Sequence, residues 1–189
     1  MNHRYLQKFQ IKDVVFLAIM SAVALATCAV MPLVISLQPL IFGISQLVTA
    51  LQIGVFFAIG LYKVRKPGSL LIMALMMGLI QLMMSLPMFL SSVLNGVLIE
   101  LIVLLLFRGY EKDAAVFVAA MLHTPLSLPF NYLYNRLVKG TDSPLAAVAD
   151  RAPLAAVGMT LAVVAVSALG ALIGIKIARE LKKSGVLKK

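Results

Sequence analysis

The sequence predicts an all-α membrane protein of six transmembrane helices with both termini in the cytoplasm, and three observations carry that expectation. First, 62% of the 189 residues are hydrophobic, 13% are charged and the mean hydropathy is +1.03, a balance far from that of a soluble domain. Second, apolar runs bounded by charge or by Pro and Gly recur at roughly 14–36, 43–62, 69–88, 91–107, 114–137 and 153–176, each near the ~20 residues that cross a hydrocarbon core. Third, charge alternates between the connections. None falls in 36–42 or 86–91, whereas Lys63, Arg65 and Lys66 follow the second run, Arg108 and Lys112 the fourth, and Lys176, Arg179, Lys182, Lys183, Lys188 and Lys189 the sixth. With the N-terminus inside, fourteen of the seventeen Lys and Arg residues are cytoplasmic and only Arg136, Lys139 and Arg151 are outside, as the positive-inside rule requires. The six spans consume the chain, so residues 1–189 form a single domain embedded in the lipid bilayer.

The net charge of +10 would suggest a nucleic-acid partner in a soluble protein; here the basic residues sit between and after apolar runs, so they report topology and no nucleic acid is expected. At the N-terminus, His3, Arg4, Lys8 and Lys12 precede the first run in the manner of a signal peptide, but the run is too long and Met31-Pro32-Leu33 offers no small-residue cleavage pattern. It reads as a retained first helix. Within it Ala18, Ala22 and Ala26 recur every four residues, with Ser21 and Ala29 beside them, and a stripe of small side chains lets two helix backbones approach closely in lipid. The partner is either another helix of this chain or another subunit. The single cysteine, Cys28, lies in the same run and reads as a small buried hydrophobe.

Further along, Pro32 and Pro39 bracket the first external turn, Pro87 sits at the second, and Pro125 and Pro129 are expected to break the fifth span, because proline removes a backbone donor and strands a carbonyl. The same half of that span carries Asn131, Tyr132, Tyr134 and Asn135. These are either ligand contacts or an interfacial helix end, where Tyr is common. The external segment 138–151, with Gly140, Thr141, Asp142, Ser143, Pro144 and Asp150, is polar enough to close over something. Gln38, Gln46, Gln52, Gln81 and Asn95 are uncharged groups that both donate and accept hydrogen bonds. Met73, Met76, Met77, Met83, Met84 and Met88 make the third span soft, either as core filler or as an adaptable wall.

Glu100 is the carboxylate that lies well inside an apolar run. Intramembrane charge points to function by default, but proton coupling needs a chain of such groups, so Glu100 reads as a satisfied or protonated structural residue. His123, without a second His, Cys or carboxylate at ligand spacing, reads as a hydrogen-bonded core histidine rather than a metal ligand or base. No G-x-x-x-x-G-K-[ST] phosphate loop, H-E-x-x-H or nucleophile elbow occurs, so no catalytic residue, metal site or ATP hydrolysis is expected of this chain.

An Asp13-Val14-Val15 opening after a basic N-terminus, the Ala18/Ala22/Ala26 first helix, six spans and a basic tail resemble the S components of energy-coupling factor (ECF) transporters, which are ABC-type vitamin importers. The resemblance covers the whole chain in architecture, and its sharp motif is Ala18, Ala22 and Ala26. It implies a substrate-binding subunit, not an enzyme, in a prokaryotic plasma membrane, with no cofactor of its own. The implied partners are a transmembrane coupling subunit and two cytoplasmic ATPases that use ATP and Mg. It also implies that the alanine stripe docks on the coupling subunit and that the ligand sits near the outer face.

On that basis Gln38, Gln46, Met84, Met88, Asn95, Asn131, Tyr132, Asn135 and Arg136 are the expected substrate-binding residues. With no Trp, few aromatics and no His-rich N-terminus, an amide-rich ligand such as cobalamin is the leading expectation. Pantothenate, with Arg136 or Arg151 as carboxylate partner, is the alternative. A self-sufficient small-solute carrier or channel, and a structural protein without ligand, are the competing classes.

Overall fold

Gln10 and Asp13 start the first helix: the Asp13 carboxylate accepts from the Gln10 N–H at 3.1 Å in a capping box, which satisfies an amide that the helix itself leaves unpaired. The computed structural model describes residues 8–28, 34, 36–138, 140 and 143–187. Ala29, Pro32, Lys139, Thr141, Asp142, the N-terminal His3 and Arg4 and the terminal Lys188 and Lys189 lie outside the described residues. Among the described residues the elements are all helical: α1 (Ile11–Thr27), α2 (Ile44–Val64), α3 (Ser69–Leu82), α4 (Leu86–Phe107), α5 (Asp113–Val138), α6 (Pro144–Arg151) and α7 (Pro153–Lys183).

Four of these, α2, α4, α5 and α7, are long and apolar enough to cross a membrane. The other two expected spans are shorter than the apolar runs suggested. At 1.5 Å per residue, the 17 residues of α1 and the 14 of α3 reach about 25 Å and 21 Å, against a hydrocarbon core of ~30 Å. Helix α3 stops at Leu82 because the chain turns there and Ser85 opens α4, its hydroxyl accepting from the Met88 N–H at 3.4 Å. Pro87 falls in the first turn of α4, where an amide donor has no partner to lose.

One expectation needs correcting. Pro125 and Pro129 do not break the fifth span: α5 runs through both as one helix of 26 residues. Between them, the Ser127 hydroxyl donates to the Thr124 carbonyl at 2.7 Å. Within the external segment 138–151, Pro144 starts the short helix α6.

Helix α2 is the centre of the bundle, packing on α1, α5 and most extensively on α7. The α2–α7 seam is close because of glycine. A Cβ on Gly170 would stand 2.5 Å from the Leu51 carbonyl oxygen and one on Gly174 2.4 Å from that of Val55, distances that only a missing side chain allows. Serine hydroxyls stitch other pairs: Ser21 donates to the Met73 carbonyl at 3.1 Å and Ser92 to that of Ala74 at 2.9 Å. Leu17, Ser21, Ala24 and Cys28 form the buried face of α1, with the Cys28 thiol donating to the Ala24 carbonyl at 3.2 Å. Ala22 and Ala26 are exposed, Ala18 is half-buried, and Val15, Ile19 and Val23 are exposed beside them. The alanine stripe therefore lies on the outward side of α1.

Charge gathers at one end. Lys66 pairs with Asp13 at 2.6 Å, and Asp113 pairs with both Arg65 and Arg179, so the start of α1, the α2–α3 link, the start of α5 and the end of α7 converge there. Gly68, with φ +91°, directs its N–H at the Glu100 carboxylate (2.6 Å), and the buried Tyr110 hydroxyl donates to the other oxygen at 2.9 Å. Burial and the facing carboxylate hold the Tyr110 hydroxyl far above its ordinary pKa, so it stays a donor. Glu100 is thus a cap on the N-terminus of α3, in keeping with its structural reading.

Candidate functional site

A polar cavity opens at the other end of the bundle, away from the Asp113 cluster. Its walls come from the first half of α2, the end of α3, the first half of α4 and the second half of α5, with Gln38 and Pro39 before α2 and Ser143 and Pro144 at the start of α6. The enclosed volume is about 520 Å³, within the ~300–1,000 Å³ of small-molecule sites.

The lining follows from helical spacing. Ser45 and Thr49 stand four apart on α2; Met88, Ser92 and Asn95 share a face of α4; Thr124, Ser127, Asn131 and Asn135 share one of α5. By their positions along the helices, Asn95, His123 and Thr124, with Ile53 and Met77, are the lining residues nearest the charged end. The first three are 1%, 4% and 3% exposed. Neither amide atom of Asn95, neither ring nitrogen of His123 nor the Thr124 hydroxyl has a hydrogen-bond partner among the described residues. The His123 ring packs against Phe57 with centroids 4.5 Å apart, which fixes its plane. Below this floor, Phe57, Leu61, Met73, Ile99, Val103 and Val116 are wholly buried in one apolar cluster.

The rim is held by polar bonds. The Gln38 amide donates to the Ser45 hydroxyl, the Ser143 hydroxyl donates to Asn135 Oδ1 at 3.0 Å, and Asn135 Nδ2 donates to the Asn131 carbonyl at 2.8 Å.

Of the residues expected to bind substrate, Gln38, Gln46, Met88, Asn95, Asn131 and Asn135 line this cavity together, while Met84, Tyr132 and Arg136 do not. Met84 is exposed in the turn after α3. Tyr132 and Arg136 each follow an inward asparagine by one residue and so stand ~100° around the helix from it. There the Tyr132 hydroxyl donates to Asp150 Oδ1 at 2.7 Å, and Arg136 pairs with Asp150 on α6. Arg151 is exposed on α6 and lies outside the lining. His123 also departs from expectation, since it lines the cavity and has no hydrogen-bond partner among the described residues. The hydroxyl residues Ser45, Thr49, Ser91, Ser92, Thr124 and Ser127 were missed; their signal was a polar stripe at helical spacing inside otherwise apolar runs.

Over residues 11–183 the sequence matches the family described as hypothetical bacterial integral membrane protein (Trep_Strep). The chain belongs to the Trep_Strep family. The match runs from the start of α1 to the end of α7, so every helix described above is part of what defines this Trep_Strep protein as an integral membrane protein of bacteria. No curated protein and no solved structure matches the chain.

Proposed function

We propose that this Trep_Strep protein is the substrate-binding S component of an energy-coupling factor importer, taking up a small solute at the outer face of the bacterial plasma membrane. The observation that carries the reading is the cavity. It presents polar side chains on a largely apolar wall, is sized for a small molecule and is closed beneath by a fully buried apolar cluster. A dead-ended pocket suits capture, whereas a channel needs a polar route onward. The basic end is cytoplasmic by the positive-inside rule, which puts the mouth outside and both termini inside. The outward alanine face of α1 serves as the docking surface for a transmembrane coupling subunit, and two cytoplasmic ATPases supply the energy through ATP and Mg. Shallow packing of small side chains keeps that contact reversible.

The volume of about 520 Å³ suits a small vitamin-sized solute. Pantothenate loses its expected carboxylate partner, because Arg136 is paired with Asp150 and Arg151 is outside the cavity. The test is purification of the chain from its own bacterium grown in rich medium, with identification of co-purifying proteins and small molecules. An ATPase pair together with a bound solute supports the reading; recovery of neither sinks it. Ala22→Trp then separates docking from binding: solute retention should match wild type while uptake falls at least tenfold, and equal loss of both would return the stripe to internal packing.

A further inference from the structure

We infer that the buried end of the ligand is an uncharged, amide-like edge, a planar N–H beside a C=O as in a lactam, ureide or carboxamide, read by Asn95 together with His123 and Thr124. This rests on the cavity being the capture site, and it specifies the chemistry that the site selects.

Five polar atoms on three side chains, each more than nine-tenths buried, have no hydrogen-bond partner among the described residues, and all three chains line one cavity. A buried polar group without a partner is expensive, and a native fold keeps one where something else supplies the bond. Gln52, Ser69 and Ser167 also carry unpartnered atoms, but they do not line the cavity. The concentration at the cavity floor is therefore specific to it.

The kind of bond follows from the inventory. Asn95 presents a carbonyl acceptor and an amino donor side by side, the complement of an amide edge; a neutral imidazole adds one donor and one acceptor, and a hydroxyl adds either. None of the described lining residues is Asp, Glu, Lys or Arg. An anion held at this depth would call for Arg, Lys or a cluster of donors, and a cation for a carboxylate or an aromatic cage. The floor has neither. Ile53 and Met77 supply an apolar surface beside the polar atoms, which suits the face of a flat ring whose edge is hydrogen-bonded. Phe57 behind His123 fixes the imidazole plane, so the ring nitrogens are set before the ligand arrives.

The inference is tested on the full chain in detergent. Wild type, Asn95→Leu and Asn95→Asp are purified in parallel from cells grown in rich medium, and their acid extracts are compared by mass spectrometry. Binding of three matched pairs is then measured by equilibrium dialysis: nicotinamide against nicotinate, benzamide against benzoate, pyrazinamide against pyrazinoate. The expected result is a neutral amide or ureide enriched with wild type and absent from both variants. At least one neutral probe should bind tenfold or more tighter than its carboxylate twin, and lose tenfold or more in both variants. The near-isosteric Asp controls for folding, and His123→Phe gives a second reading at an independent position. Enrichment of an anion or cation, a carboxylate probe binding as well as its amide, no probe binding at all, or binding that survives Asn95→Asp and His123→Phe overturns it. Loss of the ATPase partners with a neutral amide still bound would end the importer reading alone, and an anionic ligand found with ATPases present would end this one alone.

Discussion

The two ends of the bundle treat their buried carboxylates and amides in opposite ways. At the charged end, both carboxylate oxygens of Glu100 accept hydrogen bonds, and Asp13 and Asp113 are each paired. At the cavity end, Asn95, His123 and Thr124 are as deeply buried as Glu100, yet they have no hydrogen-bond partner among the described residues. Burial and polarity are therefore shared; because Gln52, Ser69 and Ser167 also carry unpartnered atoms, it is the gathering of unpartnered atoms on one cavity that sets Asn95, His123 and Thr124 apart. The seam between α2 and α7 holds the two ends in register. If the contrast is real, substitutions at the seam and at the charged end should register in stability, and those at the cavity in binding.

The largest effect is expected at the seam. Gly174→Val places a branched side chain where even a Cβ would lie 2.4 Å from the Val55 carbonyl oxygen, and backbone cannot yield as a side chain can. The overpacking should cost about 3 kcal/mol, read as a loss of monodisperse protein and a large fall in melting temperature in detergent. Near-wild-type stability would show that α2 and α7 slide freely and that the ends are not held in register.

Next comes the paired end. Glu100→Ala leaves the Gly68 amide and the Tyr110 hydroxyl facing an empty acceptor position in a site 6% exposed, and the loss should be about 3 kcal/mol. Glu100→Gln keeps one acceptor oxygen and should lose about 1 kcal/mol. Asn95→Leu is the counterpart at the cavity: its amide bonds no described protein group, so stability should change by less than about 1 kcal/mol while binding disappears. A destabilisation as large as that of Glu100→Ala would make Asn95 a structural residue and erase the distinction between the ends.

The sequence made much of this visible, but unevenly. Apolar runs located α2, α4, α5 and α7 because composition and length decide a span without knowledge of its neighbours. The polar end of the cavity was equally legible, through Gln38, Gln46, Asn95, Asn131 and Asn135. Three things were not. Tyr132 and Arg136 were grouped with Asn131 and Asn135 by position along the chain, when the ~100° step between successive residues sends them to Asp150 instead. His123 was read as satisfied, because a lone histidine usually is; only the fold shows Phe57 beside it and no hydrogen-bond partner among the described residues. The close α2–α7 seam was written in the sequence as Gly170 and Gly174, a G-x-x-x-G spacing, and went unused beside the more conspicuous alanines.

The smallest effect on stability belongs to the rim, and it sharpens the contrast most finely. Asp150 on α6 takes a hydrogen bond from Tyr132 and pairs with Arg136, both on α5. The two partners of the ion pair are 44% and 39% exposed, so solvent screens most of the attraction, and Asp150→Asn should cost well under 1 kcal/mol of global stability. Its consequence is local instead. Helix α6 has eight residues and few contacts with its neighbours, and the side chains it buries, Ala146 and Ala149, are small, so its opening depends more on bonds such as these than on packing. Amide exchange across residues 144–151 should therefore accelerate several-fold in Asp150→Asn, while exchange in α2 and at the charged end stays at the wild-type rate. Acceleration spread evenly over the bundle would instead mean that the rim is part of the same cooperative unit as Glu100 and the α2–α7 seam.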